Sequence, residues 1–472
     1  MTFQVYNTLT KQKEVFRTLE EGKVRMYNCG PTVYARIHIG NLRAFMFADL
    51  LRRWLEHEGY EVCQIMNITD VGHLTDDADD GDDKLDARAR REGKDPYEIS
   101  RHFADLFLDD LKRMECLPAH HYPRATDHIP EMLEMIDKLI ADGYAYQTGE
   151  NVYFEVGKFE HYGRLSGNKV DDLDAGNRIE VNQEKRAPAD FALWKSDPSH
   201  LMKWESRFGP DGFPGWHIEC SAMARKHLGD RIDIHTGGED NVFPHHECEI
   251  AQSEAFTGEG FATYWMHTKF LQVDGGKMGK SLGNAYTLDD IEAKHHDLRT
   301  LRYTLLRGHY RSPLNFTWDV MADSAKALEK LDDLVGRLRR IAAGEEGAQD
   351  AGAGQAELDT CRSEFVDAMN DDLNTPRALA SLHSLRDHAV QGRIGSACGA
   401  SALEFLGKVH GALGFLRLEE DSLDASIEAL IQERLDARNN KNWARSDEIR
   451  DELLAQGILL EDTGGKTVWR RG

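Results

Sequence analysis

The sequence predicts an α/β protein: a doubly wound parallel sheet carrying an insertion, followed by a helical bundle and a small C-terminal unit. Residues 24–75 alternate apolar runs with one amphipathic stretch in the order strand, turn, helix, strand. Strand-like runs at 232–235 and 264–270 resume that pattern after a more polar region that mixes short strand-like pieces with turn residues. Beyond about residue 315 the apolar residues recur at helix spacing.

The first strand is expected at 24–27, ahead of a Gly30-Pro31 break. His38-Ile39-Gly40-Asn41 then turns into an amphipathic helix over 42–58, and a second strand follows at 61–68. This Rossmann-like beginning occupies 1–115, the first half of the sheet domain. Residues 116–210 read as a connective insertion with a strand-like piece at 151–155, and the second half of the sheet spans 211–315. In the bundle, 316–417, Leu328, Leu331, Leu334 or Val335, and Leu338 mark one helix. Thr375-Pro376 supplies an N-cap and a first-turn proline for another. The Gly/Ala/Glu stretch 342–355 predicts a flexible connection, and the last unit, 418–472, one long helix with an apolar end.

Composition narrows the function classes. The chain has 472 residues, more than one ordinary domain of roughly 100 to 200 residues. No apolar run approaches the roughly 20 residues that span a bilayer, and residues 1–15 lack an apolar signal core. A cytoplasmic protein without a membrane partner is expected. The net charge of -24 repels polyanions at long range and argues against a nonspecific polynucleotide binder. Nucleic-acid contact would therefore use local basic patches: Arg302, Arg307 and Arg311, then Arg337, Arg339 and Arg340, then the C-terminal stretch. Seven cysteines at irregular spacing are not a disulfide framework.

Two motifs point to phosphate chemistry. A turn at a helix N-terminus is an anion site; Gly40 lets a nucleotide approach the backbone, and His38 can donate to phosphate oxygens. Lys277-Met278-Gly279-Lys280-Ser281 places two lysines in a loop rich in glycine, which suits a mobile lid over a polyphosphate. Together they suggest activation with ATP. The acidic run 76–83 is not a calcium loop, because an EF-hand register puts Ala78 and Ala87 where oxygen ligands are required; a solvated loop is expected.

A third constellation suggests a metal. In Pro244-His245-His246-Glu247-Cys248-Glu249, His245 and Glu249 lie four apart on one helix face. Adding Cys29, just before the phosphate turn, and Cys220 makes two thiolates, an imidazole and a carboxylate, a set that suits zinc. Cys248 is also within ligand reach on the same helix, which leaves one position open.

With these motifs in place, the chain resembles the cysteinyl-tRNA synthetase family among the class I aminoacyl-tRNA synthetases. The resemblance runs through Tyr27-Asn28-Cys29-Gly30-Pro31, Asn67-Ile68-Thr69-Asp70, Tyr162-Gly163-Arg164-Leu165-Ser166, Trp216-His217-Ile218-Glu219-Cys220 and Asp233-Ile234-His235. It continues through Ala368-Met369-Asn370-Asp371-Asp372 to Trp469-Arg470-Arg471, essentially the whole chain. It implies one Zn2+ per chain on Cys29, Cys220, His245 and Glu249, with the thiolate of L-cysteine as a further ligand. It implies Thr69, Trp216 and His235 around the cysteine, and Gly238, Glu239 and Asp240 at the ATP ribose. Gly40 would line the ATP site, while His38, Asn41, Lys277 and Lys280 stabilise the reacting phosphorus of ATP, which arrives with Mg2+. The product would be cysteinyl-tRNA(Cys), made by a monomer whose C-terminal anticodon-binding domain reads tRNA through Arg438, Lys441, Trp443, Asp447 and Asp462. Two residues depart from the family pattern: Asn41 stands where histidine is frequent, and Gly279 where serine is usual. Two rivals remain at this point. A ligase joining cysteine to an amino sugar shares both phosphate motifs and the metal set but lacks an anticodon-reading domain. A noncatalytic zinc-dependent tRNA-binding protein would not need the phosphate motifs.

Overall fold

Four parallel strands form the central sheet of the computed structural model, in the order Ala262–Thr268, Ile232–Gly238, Lys23–Asn28, Glu61–Met66. The structure describes residues 2–72, 83–169, 184–279, 282–418, 425–455, 457–463 and 466–471. Parallel strands are covered on both faces and therefore read as apolar runs; Val24, Met26, Tyr27, Ile65, Ile232, Ile234, Trp265 and Met266 are all buried. The helix Ile39–His57 crosses from the first strand to its neighbour and buries Leu42, Phe45, Met46, Leu50, Leu51 and Trp54. It starts earlier than its apolar pattern because His38 and Asn41 cap it reciprocally.

The chain leaves this sheet after Met66 and returns at Ile232 on the other side of the first strand, so strand order reverses between Lys23–Asn28 and Ile232–Gly238. The crevice at the carboxyl ends of these two strands is where open α/β sheets bind ligands. The excursion includes the helix Ile129–Ala141 and an antiparallel five-stranded sheet, in the order Ala145–Thr148, Asn151–Phe154, Phe191–Ser196, Gly209–Pro214, Trp204–Ser206. Its strand Gly209–Pro214 feeds the helix Trp216–Leu228. An N-terminal hairpin, Gln4–Asn7 with Gln12–Val15, lies against the outer strand, where the Thr8 N–H donates to the Trp265 carbonyl at 2.8 Å.

The helices Trp318–Ala342, Gln355–Asn370, Thr375–Val390 and Ser396–Leu413 make the bundle. Leu328, Leu331, Leu334, Val335 and Leu338 are buried as their spacing predicts. Asn374, one residue before the expected position, caps the third helix, its side chain accepting from the Arg377 N–H. The stretch 342–355 is not the flexible connection expected from composition. Ala348 and Gly395 exchange backbone hydrogen bonds with the segment opposite them, to Ile394 and Ala353 carbonyls at 3.0 Å each. Its small residues serve close backbone approach, since a Cβ on Gly347 would come 2.4 Å from the Ile394 carbonyl oxygen.

Several of the arginines proposed for nucleic-acid contact take part in ion pairs within the chain. Arg302 is 1% exposed. It pairs with Asp49 and donates to the Met114 carbonyl at 2.8 Å and the Leu413 carbonyl at 2.7 Å. Arg311 pairs with Asp372, and Arg337 and Arg340 both pair with Glu346. Positive charge in a sequence does not distinguish a solvated guanidinium from one that spans carbonyls inside the protein.

The chain divides into two compact units, Met1–Leu416 and Arg417–Gly472. The second holds two helices, Ala425–Asn439 and Trp443–Ala455, not the single long helix expected, and a hairpin of Ile458–Thr463 with Lys466–Arg471. The helices separate at Lys441, whose φ of 57° ends the first. No helix among the described residues is long and apolar enough to cross a membrane.

Arg302→Ala is expected to destabilise the larger unit by roughly 3 to 5 kcal/mol, because the Met114 and Leu413 carbonyls lose their buried donor and Asp49 keeps only Arg53 and the Leu117 N–H. Replacing both residues, Asp49→Asn with Arg302→Met, should recover part of that loss in urea unfolding.

Candidate active site and metal centre

Cys29 follows directly on the strand Lys23–Asn28, and its N–H donates to the Thr236 carbonyl at 3.1 Å, which fixes it in the crevice. Gly30 is needed beside it: a Cβ there would lie 1.6 Å from the Asn67 carbonyl oxygen. Cys220 sits in the helix Trp216–Leu228 and is buried. His245 belongs to a wide π turn, Val242–His246, that runs into the helix Glu247–Thr257, where Glu249 lies in the first turn. These four residues, drawn from three separate stretches of the chain, each bring one ligand atom within 4.8 Å of the others. Glu249 Oε1 is 3.1 Å from His245 Nε2 and 3.8 Å from Cys29 Sγ.

The donor set fits a zinc ion. Burial pushes the Cys29 thiol up, and the hydrogen bond with Cys29, together with burial, pushes Cys220 up further. Two thiols so placed ionise only with a cation among them, and zinc stabilises thiolates together with imidazole and carboxylate. The surroundings orient these donors. His217 Nδ1 lies 2.9 Å from His245 Nδ1, which turns His245 Nε2 toward Glu249, and His235 Nε2 bonds Glu249 Oε2 at 2.9 Å. His245 also stacks on Trp216, ring centroids 4.2 Å apart.

A second grouping, Cys29, His235, His246 and Glu249, has the same compactness. His246 Nε2 is 3.2 Å from Cys29 Sγ, and its Nδ1 is 2.8 Å from His267 Nε2, which in turn reaches Thr8. Burial keeps His246 and His267 neutral, His267 falling to about 3. Neither His246 nor His267 emerged from sequence reasoning. The doubled histidine before Glu247 was the available signal, but helix spacing favoured only the first. Cys248 is not part of either grouping: it points away, 3.3 Å from the Tyr162 hydroxyl. The neighbouring Glu247 accepts from the Ser166 N–H at 2.8 Å, so Tyr162-Gly163-Arg164-Leu165-Ser166 braces the back of the helix that bears Glu249.

The phosphate motifs meet at the same crevice. His38 Nδ1 accepts the Asn41 N–H at 3.2 Å, and Asn41 Oδ1 accepts the His38 N–H at 3.3 Å. In a neutral ring that puts the His38 proton on Nε2 as a donor. A Cβ on Gly40 would come 3.2 Å from Met278 Sδ, so the lysine loop lies against the turn. The same juxtaposition brings the Tyr286 carbonyl to the Ile39 N–H at 2.8 Å. Lys277 is exposed and near enough to Asp240 for their charges to interact. Gly238 permits that placement of Asp240, whose Oδ1 would lie 2.3 Å from a Cβ there. Asn284 stabilises the loop base, accepting from the Gly279 N–H at 2.9 Å. Lys280 lies outside the described residues.

Thr69 is buried, its hydroxyl accepting from Asn67 Nδ2 at 3.1 Å, and Asn67 Oδ1 accepts the Gly30 N–H at 2.8 Å. Trp216 is half-buried above His245, whereas His235 is fully buried beneath Glu249. Trp216 and His235 therefore flank the ligand set at different depths, while Thr69 is tied through Asn67 to Gly30, next to Cys29. In the C-terminal unit Trp443 opens the second helix with 58% of its surface exposed, one turn from Asp447. Arg438 ends the first helix, and Asp462 lies on the hairpin strand Ile458–Thr463.

Comparison with known proteins gives a consistent set of similarities. The family described as "tRNA synthetases class I (C) catalytic domain" matches residues 15–326. "DALR domain" matches 364–417, and "Cysteinyl-tRNA ligase anticodon binding domain" matches 420–470. The chain is 44% identical over 477 residues to the cysteine-tRNA ligase of Bacillus cereus (strain AH820), with 100% of both chains covered. The cysteine-tRNA ligase of Bacillus thuringiensis subsp. konkukian (strain 97-27) gives the same identity and coverage. Two structures of Mycobacterium tuberculosis methionyl-tRNA synthetase with methionyl-adenylate share the fold. One has a TM-score of 0.63 at 15% identity, covering 83% of this chain and 92% of that one. The other has a TM-score of 0.65 at 14% identity, covering 90% and 96%.

Proposed function

The chain belongs to the cysteinyl-tRNA synthetase family of class I aminoacyl-tRNA synthetases, and from that premise we propose how its residues carry out the reaction. The enzyme is an aminoacyl-tRNA ligase that joins cysteine to tRNA with ATP. The observation that carries the mechanistic reading is the convergence of Cys29, Cys220, His245 and Glu249 beside the nucleotide crevice. A zinc ion held there supplies affinity for the thiolate of L-cysteine, which the serine hydroxyl cannot match at neutral pH because it hardly ionises. Discrimination then needs no editing step. Trp216 covers the amino acid from the side of His245, Thr69 closes the opposite wall, and His235 holds the Glu249 carboxylate in register.

The cysteine carboxylate attacks the α-phosphorus of ATP, which enters with Mg2+, and pyrophosphate leaves. His38, through its Nε2–H, and the amide of Asn41 donate to the phosphate as charge builds, and Lys277 and Lys280 add positive charge from the loop. The helix N-terminus and Gly40 give the phosphates room and partial positive charge. Gly238 and Asp240 face the ribose. Catalysis is then mostly positioning and electrostatics. Asn41 donates as a neutral amide, so its contribution is a hydrogen bond without added charge.

A cytoplasmic monomer belongs to the same reading, as does the division into catalytic halves 1–115 and 211–315, insertion 116–210, bundle 316–417 and anticodon-binding domain 418–472. Exposed Trp443 supports that last assignment, since an anticodon base can stack on it while Arg438, Asp447 and Asp462 contribute hydrogen bonds. A ligase acting on an amino sugar has no use for such a unit.

Four outcomes test this reading. Metal analysis should find about one zinc per chain. Cys220→Ser should lose the zinc and cysteine-dependent pyrophosphate exchange together, while Cys248→Ser keeps both; zinc loss from Cys248→Ser would make the ligand set wrong. Lys277→Ala should slow adenylation by roughly 10² with a smaller change in cysteine affinity, as for a lost transition-state contact; an unchanged rate would leave the lysine without a catalytic role. A chain ending at Leu416 should retain pyrophosphate exchange but charge tRNA poorly, each lost anticodon contact being worth roughly 1 to 3 kcal/mol. Equal charging by both lengths would remove anticodon reading from the C-terminal unit.

A further inference from the structure

We propose that Asp83, Asp86 and His200 form a second divalent-cation site, of the manganese class, separate from the thiol cluster. Each contributes one ligand atom, all within 4.8 Å of one another, and none of the three residues is more than 6% exposed. They come from different parts of the fold. Asp83 caps the helix Lys84–Glu92, Asp86 lies in its first turn, and His200 follows the strand Phe191–Ser196 of the insertion.

The hydrogen bonding leaves a gap that a cation fills. His200 Nδ1 is 2.5 Å from the Met202 carbonyl oxygen, so that nitrogen carries a proton, as in metal-bound histidines whose far nitrogen donates to a carbonyl. The Met202 N–H also lies 3.2 Å from Nδ1. His200 Nε2 then faces Asp83 Oδ2 at 2.9 Å. A neutral ring would oppose two lone pairs there, so either a second proton or a cation joins them. Asp83 Oδ1 accepts the Leu85 and Asp86 N–H groups at 2.7 and 3.2 Å. Asp86 Oδ2 accepts the Leu201 N–H at 2.9 Å, with the Arg90 guanidinium 3.7 Å away. Asp86 Oδ1 is buried and has no hydrogen-bond partner.

That oxygen decides between the two. A proton on His200 Nε2 satisfies Asp83 only and leaves Asp86 Oδ1 unmet, a costly state for a buried carboxylate. A dication serves both carboxylates and balances their charge. Two oxygens with one imidazole and no sulfur favour a harder ion than the thiol cluster takes. The site would tie the insertion to the wall of the cysteine pocket, because Asp83 packs on Gly72, where a Cβ would lie 1.7 Å from Oδ2.

The test uses the full chain, given one equivalent of Zn2+ to fill the thiol cluster and then titrated with Mn2+ in buffer free of Mg2+ and nucleotide. Electron paramagnetic resonance reads the free Mn2+. One further Mn2+ per chain should bind, at least tenfold more weakly to His200→Ala and to the shape-preserving Asp86→Asn, with zinc content unchanged. Added Mn2+ should raise the thermal midpoint of the parent chain and not of the variants. Equal Mn2+ binding by parent and Asp86→Asn, or none by the parent, would overturn the proposal and make His200 an imidazolium paired with Asp83.

Discussion

Parallel pairing of Lys23–Asn28 with Ile232–Gly238 is the constraint on which the rest of the larger unit depends. These strands lie some two hundred residues apart in the chain, and every functional group in the crevice is placed relative to their carboxyl ends. Cys29 emerges from one strand, and Gly237, Gly238 and the turn bearing His245 and His246 emerge from the other. Glycine at 237 is part of the same constraint, since a Cβ there would come 2.8 Å from the His246 ring. Pairing these strands in another register would turn alternate side chains to the opposite face and separate Cys29 from Glu249.

Around that junction much of the polar interior is ordered by buried groups that pair with one another. Glu249 is held by histidines, Glu247 by backbone N–H groups of the insertion, and Asn28 by Thr236 and Gln64. Buried polar groups are tolerable only when so satisfied. The insertion therefore does more than interrupt the sheet: its last strand leads into the helix that begins at Trp216 and bears Cys220, and its Tyr162 and Ser166 secure the back of the helix that bears Glu249.

The bundle joins the sheet domain by similar means. Asp372 is fully buried and accepts the Tyr6 N–H at 2.8 Å and the Tyr310 hydroxyl at 2.6 Å, while Arg311 donates to its other oxygen at 2.7 Å. One carboxylate thus links the N-terminal hairpin, the end of the sheet domain and the bundle. Ala368-Met369-Asn370-Asp371-Asp372, read first as a sign of family likeness, contains a structural tie. Arg302 performs the corresponding task between the helix Ile39–His57 and the end of the bundle.

The sequence by itself pointed to the alternation of strand and helix, the turn at His38, the lysine loop and the four residues Cys29, Cys220, His245 and Glu249 that the fold draws together. Each is local chemistry, expressed in periodicity, in glycine where backbone must approach closely, or in residue types that suit phosphate or zinc. Only the tertiary structure decided which way side chains point when helix spacing permits several directions: Cys248 turns to Tyr162, while His246 joins Cys29, His235 and Glu249. Only it decided that Arg302 and Arg311 are internal ties, that 342–355 is held by backbone hydrogen bonds, and that Asp83 and Asp86 meet His200. Those outcomes depend on desolvation and on partners distant in the chain, and one-dimensional spacing contains neither.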